Sequence, residues 1–255
     1  MTVLKKDEYD EYHVFDNKAR GWKILSDSSI VPMRKTQGEL VEAFSRDYKV
    51  ELVSLILTYA DIEPLQELVR MLRKAGAVSD SKYSSGIHIH VDATPHTPNT
   101  LKNLVNLMAS KEDLLYKSLN IDMERLRYCK KVNDDLIATI NKKKPQTLEA
   151  LADIWYAGYG NKDRTRHYHN SRYHGLNLHS TFTKGTVEFR LFNGTLHAGK
   201  IKAYIQFCLA ISHQALNQKS ASARRTATDN PTPFGVGCLG LASSGKNLKL
   251  AGNIS

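Results

Sequence analysis

Cysteine is scarce in this 255-residue sequence, which contains only Cys129, Cys208 and Cys238. They are widely spaced and odd in number, so they form neither a paired metal-binding motif nor a disulfide framework. Free thiols fit a reducing compartment. The cysteine pattern therefore predicts a cytoplasmic protein.

Long hydrophobic runs are also missing. No uninterrupted apolar stretch approaches the ~18 residues of a membrane-spanning helix, and residues 1–8 contain no apolar segment of the kind found in signal peptides. We therefore expect neither a membrane span nor a secretory signal. Hydrophobic residues still make up 41% of the chain, enough for a sizeable core, and the length of 255 residues allows one large domain or two modest ones.

Acidic residues are fewer than basic ones, 26 against 36, giving a formal charge of +10. Such an excess indicates acidic partners such as nucleic acid, nucleotides or polyanionic substrates. Charge alone does not choose among them.

The most informative stretch is residues 84–92, which alternates with the period of two that is typical of a strand. Its apolar positions are Ile87, Ile89 and Val91. His88, His90 and Asp92 therefore share the opposite face. That face is either a solvated strand surface or the floor of a charged active site.

Two other predicted strands carry charges in apolar surroundings. Glu51 lies within the apolar segment 48–59, which reads as a strand covered on both faces. An unpaired buried carboxylate costs several kcal/mol, so Glu51 needs a cation or an opening to solvent. Glu188 and Arg190 share one face of a strand over 186–192, where they form either a ladder of surface ion pairs or part of a site.

Together these residue types indicate phosphoryl transfer. Glu51, His88 and Glu188 would suit a divalent cation such as Mg²⁺ or Mn²⁺. His90 and Arg190 would offer donors to phosphate. Positioning and charge neutralisation are the tasks of a protein in that chemistry.

The remaining pattern predicts an α+β fold with a mostly antiparallel sheet flanked by helices. A helix opens at Pro64, another begins at Thr97-Pro98, and a capping-box pattern at residues 110–113 predicts a further helix start. Lys184-Gly185 reads as the turn of a hairpin, followed by a long helix over roughly 199–217. Residues 159–174 read as a basic, aromatic loop.

These elements divide the chain into three parts. Residues 1–20 read as a poorly specified lead-in, and residues 21–219 as the catalytic domain, with a helical insert at about 98–157. The Ser-, Gly- and Pro-rich residues 220–255 read as a flexible tail.

The motifs resemble those of known ligases. Ser85-Gly86-Ile87-His88-Ile89-His90 resembles the S-G-M-H-x-H strand of glutamine synthetases, and Glu188-Phe189-Arg190 resembles their E-x-R strand. The fuller similarity, over roughly residues 20–215, is to the amidoligases of the carboxylate–amine ligase superfamily, which includes glutamate–cysteine ligases. The blocks that match in order are Trp22-Lys23-Ile24 with Asp27-Ser28-Ser29, Glu51-Leu52-Val53-Ser54, Gly86 to Asp92, Arg172-Tyr173-x-x-Leu176-Asn177, and Thr186 to Gly194.

The resemblance implies a glutamine-synthetase-like fold with a curved sheet, and ATP- and Mg²⁺- or Mn²⁺-dependent joining of a carboxylate to an amine through an acyl phosphate. The substrates would be small molecules or peptides. By that resemblance Glu51, His88 and Glu188 hold metal, His90 approaches the ATP phosphates, and Arg190 contacts the transferring phosphoryl group. The resemblance further implies that Glu188 and Arg190 are catalytic, and that Arg172 and Asn177 contact nucleotide or substrate. Asp92 is expected only to support a turn or a neighbouring residue.

One departure from the resemblance concerns acidic residues. The amidoligases begin with a Gly-x-Glu-x-Glu strand whose carboxylates hold metal, and no such strand precedes Trp22. The acidic residues at 7–11 lack its leading Gly and its apolar alternation. We expect the chain to be truncated, started at the wrong codon, or a decayed copy.

Three rival interpretations remain open. The charge and the 159–174 loop would suit a nucleic-acid-binding protein. The His-x-His strand would suit a zinc hydrolase, although no third ligand stands at an obvious spacing. The chain would also fit a non-catalytic relic of the ligase fold.

Overall fold

The computed structural model describes residues 2–6, 12–15, 19–45, 48–160, 163–225 and 250–254. Within these ranges the strands are β1 (Thr2–Lys6), β2 (Tyr12–Phe15), β3 (Gly21–Ser26), β4 (Met33–Thr36), β5 (Glu39–Glu42), β6 (Val50–Leu57), β7 (Gly86–Asp92), β8 (Leu176–Asn177), β9 (Thr186–Asn193) and β10 (Leu250–Ile254). The α-helices are α1 (Ile62–Lys74), α2 (Pro98–Ser118), α3 (Asp134–Lys143), α4 (Leu148–Tyr156), α5 (His179–Lys184) and α6 (Ala198–Asn217).

Eight of these strands form one sheet in the order β1-β2-β3-β6-β10-β7-β9-β8, and β4 pairs separately with β5. Every pairing between these strands is antiparallel. The predicted α+β class with a mostly antiparallel sheet is confirmed.

Helices α1, α2 and α6 form a layer on one face of the sheet. Helix α6 packs against both α1 and α2 and also contacts β7. The apolar face of β7 and the matching positions of β9 belong to the same buried cluster as the inward stripes of α2 and α6. Cluster members from the two strands are Ile87, Ile89, Val91, Val187, Phe189 and Leu191.

Helix α2 is one continuous helix, so the predicted second start at residues 110–113 is wrong. The Thr97 hydroxyl accepts a hydrogen bond from the Thr100 N–H at 3.3 Å, and Pro98 follows in the first turn. The Ser110 hydroxyl instead donates to the Leu107 carbonyl at 2.8 Å. A serine inside a helix can satisfy its hydroxyl on the preceding turn in this way, without capping anything.

Strands β8 and β9 pair directly but are not joined by a tight hairpin turn, as the sequence had predicted. Helix α5 stands between them, and Gly185 ends that helix with φ at +69°. Glycine adopts this left-handed conformation without the steric penalty of a Cβ, which makes it a common helix terminator. The Lys184-Gly185 pair therefore marks a helix end.

The lead-in and the tail are more ordered than predicted. Strands β1 and β2 lie within the expected unspecified residues 1–20, and β10 lies within the expected flexible tail. Residues 218–225 lie along α2, where the Asn103 and Asn106 amides each donate at 3.0 Å to the Gln218 and Ala221 carbonyls. Residues 226–249 fall outside the described part of the chain.

Strand β6 is less covered than its apolar sequence predicts. Val50 and Ile56 are 44% and 57% exposed, and Leu57 alone of its eight residues is fully buried. The prediction of a strand buried on both faces is wrong here. In the described ranges, none of the helices has the length and apolar character needed to cross a membrane.

Candidate active site

The centre of the candidate site is the pairing of β7 with β9. His90 lies directly opposite Glu188, which places both side chains on the same face. Ile89 pairs with Phe189 but Ile87 pairs with Phe192, so two residues of β9 oppose His88. Arg190 lies at this bulge and shares the face of Glu188, two positions before it in the strand, beside the two histidines.

Glu188 is held as an ionised carboxylate although it is only 3% exposed. Its Oε1 accepts from Arg190 Nη1 at 2.5 Å, and its Oε2 accepts from Asn177 Nδ2 at 2.6 Å and from the Ser180 hydroxyl at 2.8 Å. Burial acts to raise the pKa of Glu188, but the charge of Arg190, the histidines and the Ser180 hydrogen bond hold it well below its usual range. A carboxylate with this many donors stays negative at neutral pH.

Both histidines are neutral at physiological pH. His88 Nδ1 and His90 Nε2 lie 3.7 Å and 3.6 Å from Glu188 Oε1. Burial lowers the pKa of both imidazoles, and the nearby charges of Arg190 and, for His90, Lys184 lower it further against the pull of Glu188. His88 Nε2 is buried with no hydrogen-bond partner among the described residues. Its lone pair or proton is available to a ligand.

Glu51 lies on the same face but at a distance. Strand β10 separates β6 from β7, and its Asn253 pairs with both Val53 and His88. Neighbouring strands are about 4.8 Å apart, so the backbones of β6 and β7 are about 10 Å apart. The pKa of Glu51 is raised, first by burial and then by Asp27, while Arg190 and Arg172 lower it.

The described residues do not fit a site that holds Mg²⁺ by itself. Among them, no group of three or more His, Cys, Asp or Glu side chains is placed to bind one ion. Mg²⁺ favours several oxygen ligands in octahedral geometry. Glu188 offers two oxygens that already accept three hydrogen bonds, and Glu51 is two strands away.

A small, open cleft lies beside Glu188. Asn177, Ser180 and Glu188 line one part of it. The remaining wall comes from α5 and from the preceding loop, and includes His167, His179, Arg172, Thr183 and Lys184. The structure therefore brings Arg172 and Asn177 together with Glu188.

Asp92 takes no part in this cluster. Its Oδ1 accepts from the Thr94 N–H at 3.0 Å and from the Thr94 hydroxyl at 2.7 Å. These bonds form a local turn at the end of β7, so the predicted turn-supporting role is confirmed.

Sequence reasoning missed Arg125, which is buried at 3% exposure in a short 3-10 segment, Met123–Arg127. Its guanidinium occupies the space where a Cβ on Gly86 would be, next to His88 on the site face. Arg125 Nη2 donates to the Arg190 carbonyl at 2.8 Å. The signal in the sequence was the glycine at the start of β7, since glycine within a strand often marks a close approach by another group.

Ser180 and Lys184 were missed for a different reason. Both belong to α5, which the sequence did not predict, because Lys184 was read as part of a hairpin turn and Ser180 was assigned to no element. Neither residue therefore had a predicted position facing the site. The serine was one of several in a polar stretch and carried no recognisable spacing.

The basic loop uses part of its charge internally. Arg164 Nη1 pairs with Asp153 at 2.6 Å and its guanidinium lies 5.0 Å from the Tyr156 ring centre. Arg172 lines the cleft instead of an outer surface. This arrangement favours a wall of the site over a nucleic-acid interface.

Comparison with known proteins gives one match. Neither the curated proteins nor the solved structures contain one that matches the chain. The model of a family described as "Putative amidoligase enzyme" matches residues 2–212, which include both strands of the site and the cleft. With most of its length matched, the chain belongs to this amidoligase family.

Proposed function

We propose that this protein is an ATP- and Mg²⁺-dependent carboxylate–amine ligase with the glutamine-synthetase-like fold of the carboxylate–amine ligase superfamily. The observation that supports this most directly is the buried Glu188–Arg190 pair, which adjoins two neutral histidines. Its Glu188 lines a cleft together with Arg172 and Lys184. Such a site suits a highly charged, water-excluded transfer of a phosphoryl group.

The proposed reaction has two steps. An oxygen of the substrate carboxylate attacks the γ-phosphorus of ATP, the bond to the β-γ bridging oxygen breaks, and ADP leaves. An amine nitrogen then attacks the carbonyl carbon of the acyl phosphate, inorganic phosphate leaves, and the amine loses a proton. The products are an amide, ADP and phosphate.

Arg190 is the group we assign to the transferring phosphoryl oxygens. Its guanidinium is buried and oriented by Glu188, so it is arranged before any substrate binds, which is what stabilises charge that develops in a transition state. His90, held by a 2.8 Å contact between Nδ1 and the Thr186 hydroxyl, would contact the ATP phosphates. Arg172 and Asn177 would contact nucleotide or substrate from the cleft.

Divalent metal enters this proposal with the nucleotide. The residues do not fit a protein-held Mg²⁺ site, so the phosphate oxygens of ATP would have to supply most of its ligands, as is common for Mg²⁺. His88 and Glu188 remain the proposed protein contacts to that ion. Glu51, the third predicted ligand, lies two strands away from His88, and no step of the mechanism depends on a distance to the ion.

The direct test uses hydroxylamine as the amine. A panel of amino acids and dipeptides serves as carboxylate donors, with ATP and Mg²⁺. An acyl phosphate would be trapped as a hydroxamate, which iron(III) colours, and ADP would appear in equal amount. We expect Glu188→Gln and His88→Ala each to lower this rate by about 10²-fold or more, because each removes part of the preorganised charge.

The matched control is Glu67→Gln, an exposed carboxylate on α1, which should leave the rate unchanged. ATP binding without any hydroxamate over the whole panel would favour the non-catalytic relic. Tight, salt-sensitive DNA binding without a response to ATP would favour the nucleic-acid interpretation. Tight retention of Zn²⁺ without nucleotide would favour the hydrolase interpretation.

A further inference from the structure

Arg172 and Lys184 form the cationic wall of the cleft. Nearby carboxylates do not neutralise their positive charge. Arg172 Nη1 donates to the His167 carbonyl at 3.0 Å, and its guanidinium lies 5.2 Å from the Tyr168 ring centre. Over the described residues, no carboxylate lies within 4.0 Å of the charged groups of Arg172 or Lys184. The carboxylate in the cleft, Glu188, is already bonded to Arg190.

The charges of this wall act on the same space. Burial lowers the pKa of Arg172, and the positive charge of Arg190 lowers it further. His167 has its pKa lowered to about 4, first by desolvation and then by Arg172 and Lys184. The charge of Lys184 also reaches His90 on the floor of the site. An anion placed between these groups would relieve their mutual repulsion.

The hydroxyl groups of the cleft have other partners. Ser180 donates to Glu188 and Thr183 donates to the His179 carbonyl at 2.8 Å. Neither hydroxyl hydrogen is free for a ligand, so recognition on this wall depends on the ammonium and guanidinium groups.

We propose that Lys184 and Arg172, with the His167 ring at the rim, form an oxyanion subsite that binds a second anionic group of a ligand whose reacting group lies at Arg190. The subsite presupposes the ligation proposed above and adds a residue, Lys184, that recognises substrate. Two groups share the oxyanion chemistry that this subsite would bind. They are the polyphosphate of the nucleotide and a non-reacting carboxylate of the acid substrate.

Isothermal titration calorimetry at low ionic strength distinguishes the sources. Inorganic tripolyphosphate is the probe for the first, and glutarate, compared with the monocarboxylate butyrate, is the probe for the second. We expect Lys184→Ala to weaken binding of one or both probes about five- to tenfold, as loss of one charge-assisted contact would. Lys184→Arg should restore most of it, because the charge is kept.

The matched control is Lys200→Ala, which also removes an exposed lysine, from α6 on the helical layer. An effect on tripolyphosphate alone assigns the subsite to the nucleotide, and an effect on glutarate alone assigns it to the acid. The subsite is overturned if wild-type protein binds neither probe, or if Lys184→Ala and Lys200→Ala weaken binding equally. Lys184 is exposed, so the urea unfolding midpoint should not move.

Turnover separates the subsite from the ligation itself. Binding that depends on Lys184 in a protein that forms no hydroxamate would keep the subsite and reject the ligase. Hydroxamate formation with the same KM for ATP and for the acid in wild type and Lys184→Ala would keep the ligase and reject the subsite.

Discussion

The two faces of the β7–β9 pair differ completely in chemistry although they alternate residue by residue. One face packs Ile89 and Phe189 into the helical layer, and the other carries His90 and Glu188 into the site. A backbone held rigidly by a close-packed core also fixes the polar groups that project from its other side. Stability and chemistry are therefore assigned to neighbouring positions of the same strand.

Two buried glutamates show how the surroundings of a carboxyl group decide its pKa. Glu188, in the site, has a lowered pKa because Arg190 and the hydrogen-bond donors outweigh burial. Glu112, on α2, is 0% exposed, and burial raises its pKa to about 7 despite bonds from the Val132 N–H and the charge of Arg225 at 3.7 Å. Burial has the same sign at both places, and the number and closeness of the partners decide the outcome.

The largest expected effect on stability comes from a substitution on the packed face of the β7–β9 pair. Phe189→Ala should lower the free energy of unfolding by about 3–5 kcal/mol, because it leaves a cavity in a fully buried cluster. Urea denaturation measures this. Phe44→Ala, which removes a fully exposed ring, should change it little. Equal losses in the two variants would contradict the assignment of stability to this face.

The next effect concerns the helical layer. The folded state keeps a proton on Glu112 up to about pH 7, whereas the unfolded state loses it near 4.5, so the folded state binds more protons between these values. Stability should therefore fall as pH rises from about 4.5 to 7, by up to ~3 kcal/mol. Glu112→Gln should flatten that slope in urea denaturation at several pH values. An unchanged slope would show that this carboxyl is ionised in the fold.

A smaller effect tests the glycine of the site face. In Gly86→Ala the new methyl would collide with the guanidinium of Arg125, so we expect about 1–3 kcal/mol of destabilisation and a lower ligation rate. Gly158→Ala is the control, since nothing lies within 4 Å of a Cβ there. Full stability and activity in Gly86→Ala would mean that Arg125 moves without consequence.

The smallest expected effect on stability is at Asp92, which lies outside the site. Asp92→Ala removes the two bonds to Thr94 and should cost about 0.5–1.5 kcal/mol of stability, with the ligation rate per folded molecule unchanged. Asp92→Asn keeps an acceptor oxygen and should behave like wild type. A large loss of rate in both variants would extend the site to this residue.

The sequence predicted the parts of the site that depend on alternation within a strand. His88 with His90, and Glu188 with Arg190, share a face because a strand has a period of two, and this needs no tertiary information. The distance between Glu51 and the histidines could not be predicted, because it depends on which strand lies between β6 and β7. Arg125 and Lys184 depend on irregular segments, and local pattern does not determine their direction.

The misread elements share a cause. A serine such as Ser110 suits both the start and the interior of a helix, and Lys184-Gly185 suits both a hairpin turn and a helix end. Tertiary packing decided between these alternatives. The tail has a composition of low hydrophobicity, yet β10 pairs with β6 on one side and with β7 on the other. Pairing with strands that are distant in sequence is not visible in the local composition.

Strand β10 also has a kinetic consequence. It joins residues 250–254 to 50–57 and to 86–92, so the middle of the sheet closes only when segments more than 150 residues apart meet. Contacts this distant in sequence are slow to form, because the chain between them must first lose its conformational freedom. We expect the union of the two halves of the sheet through β10 to be among the slow steps of folding.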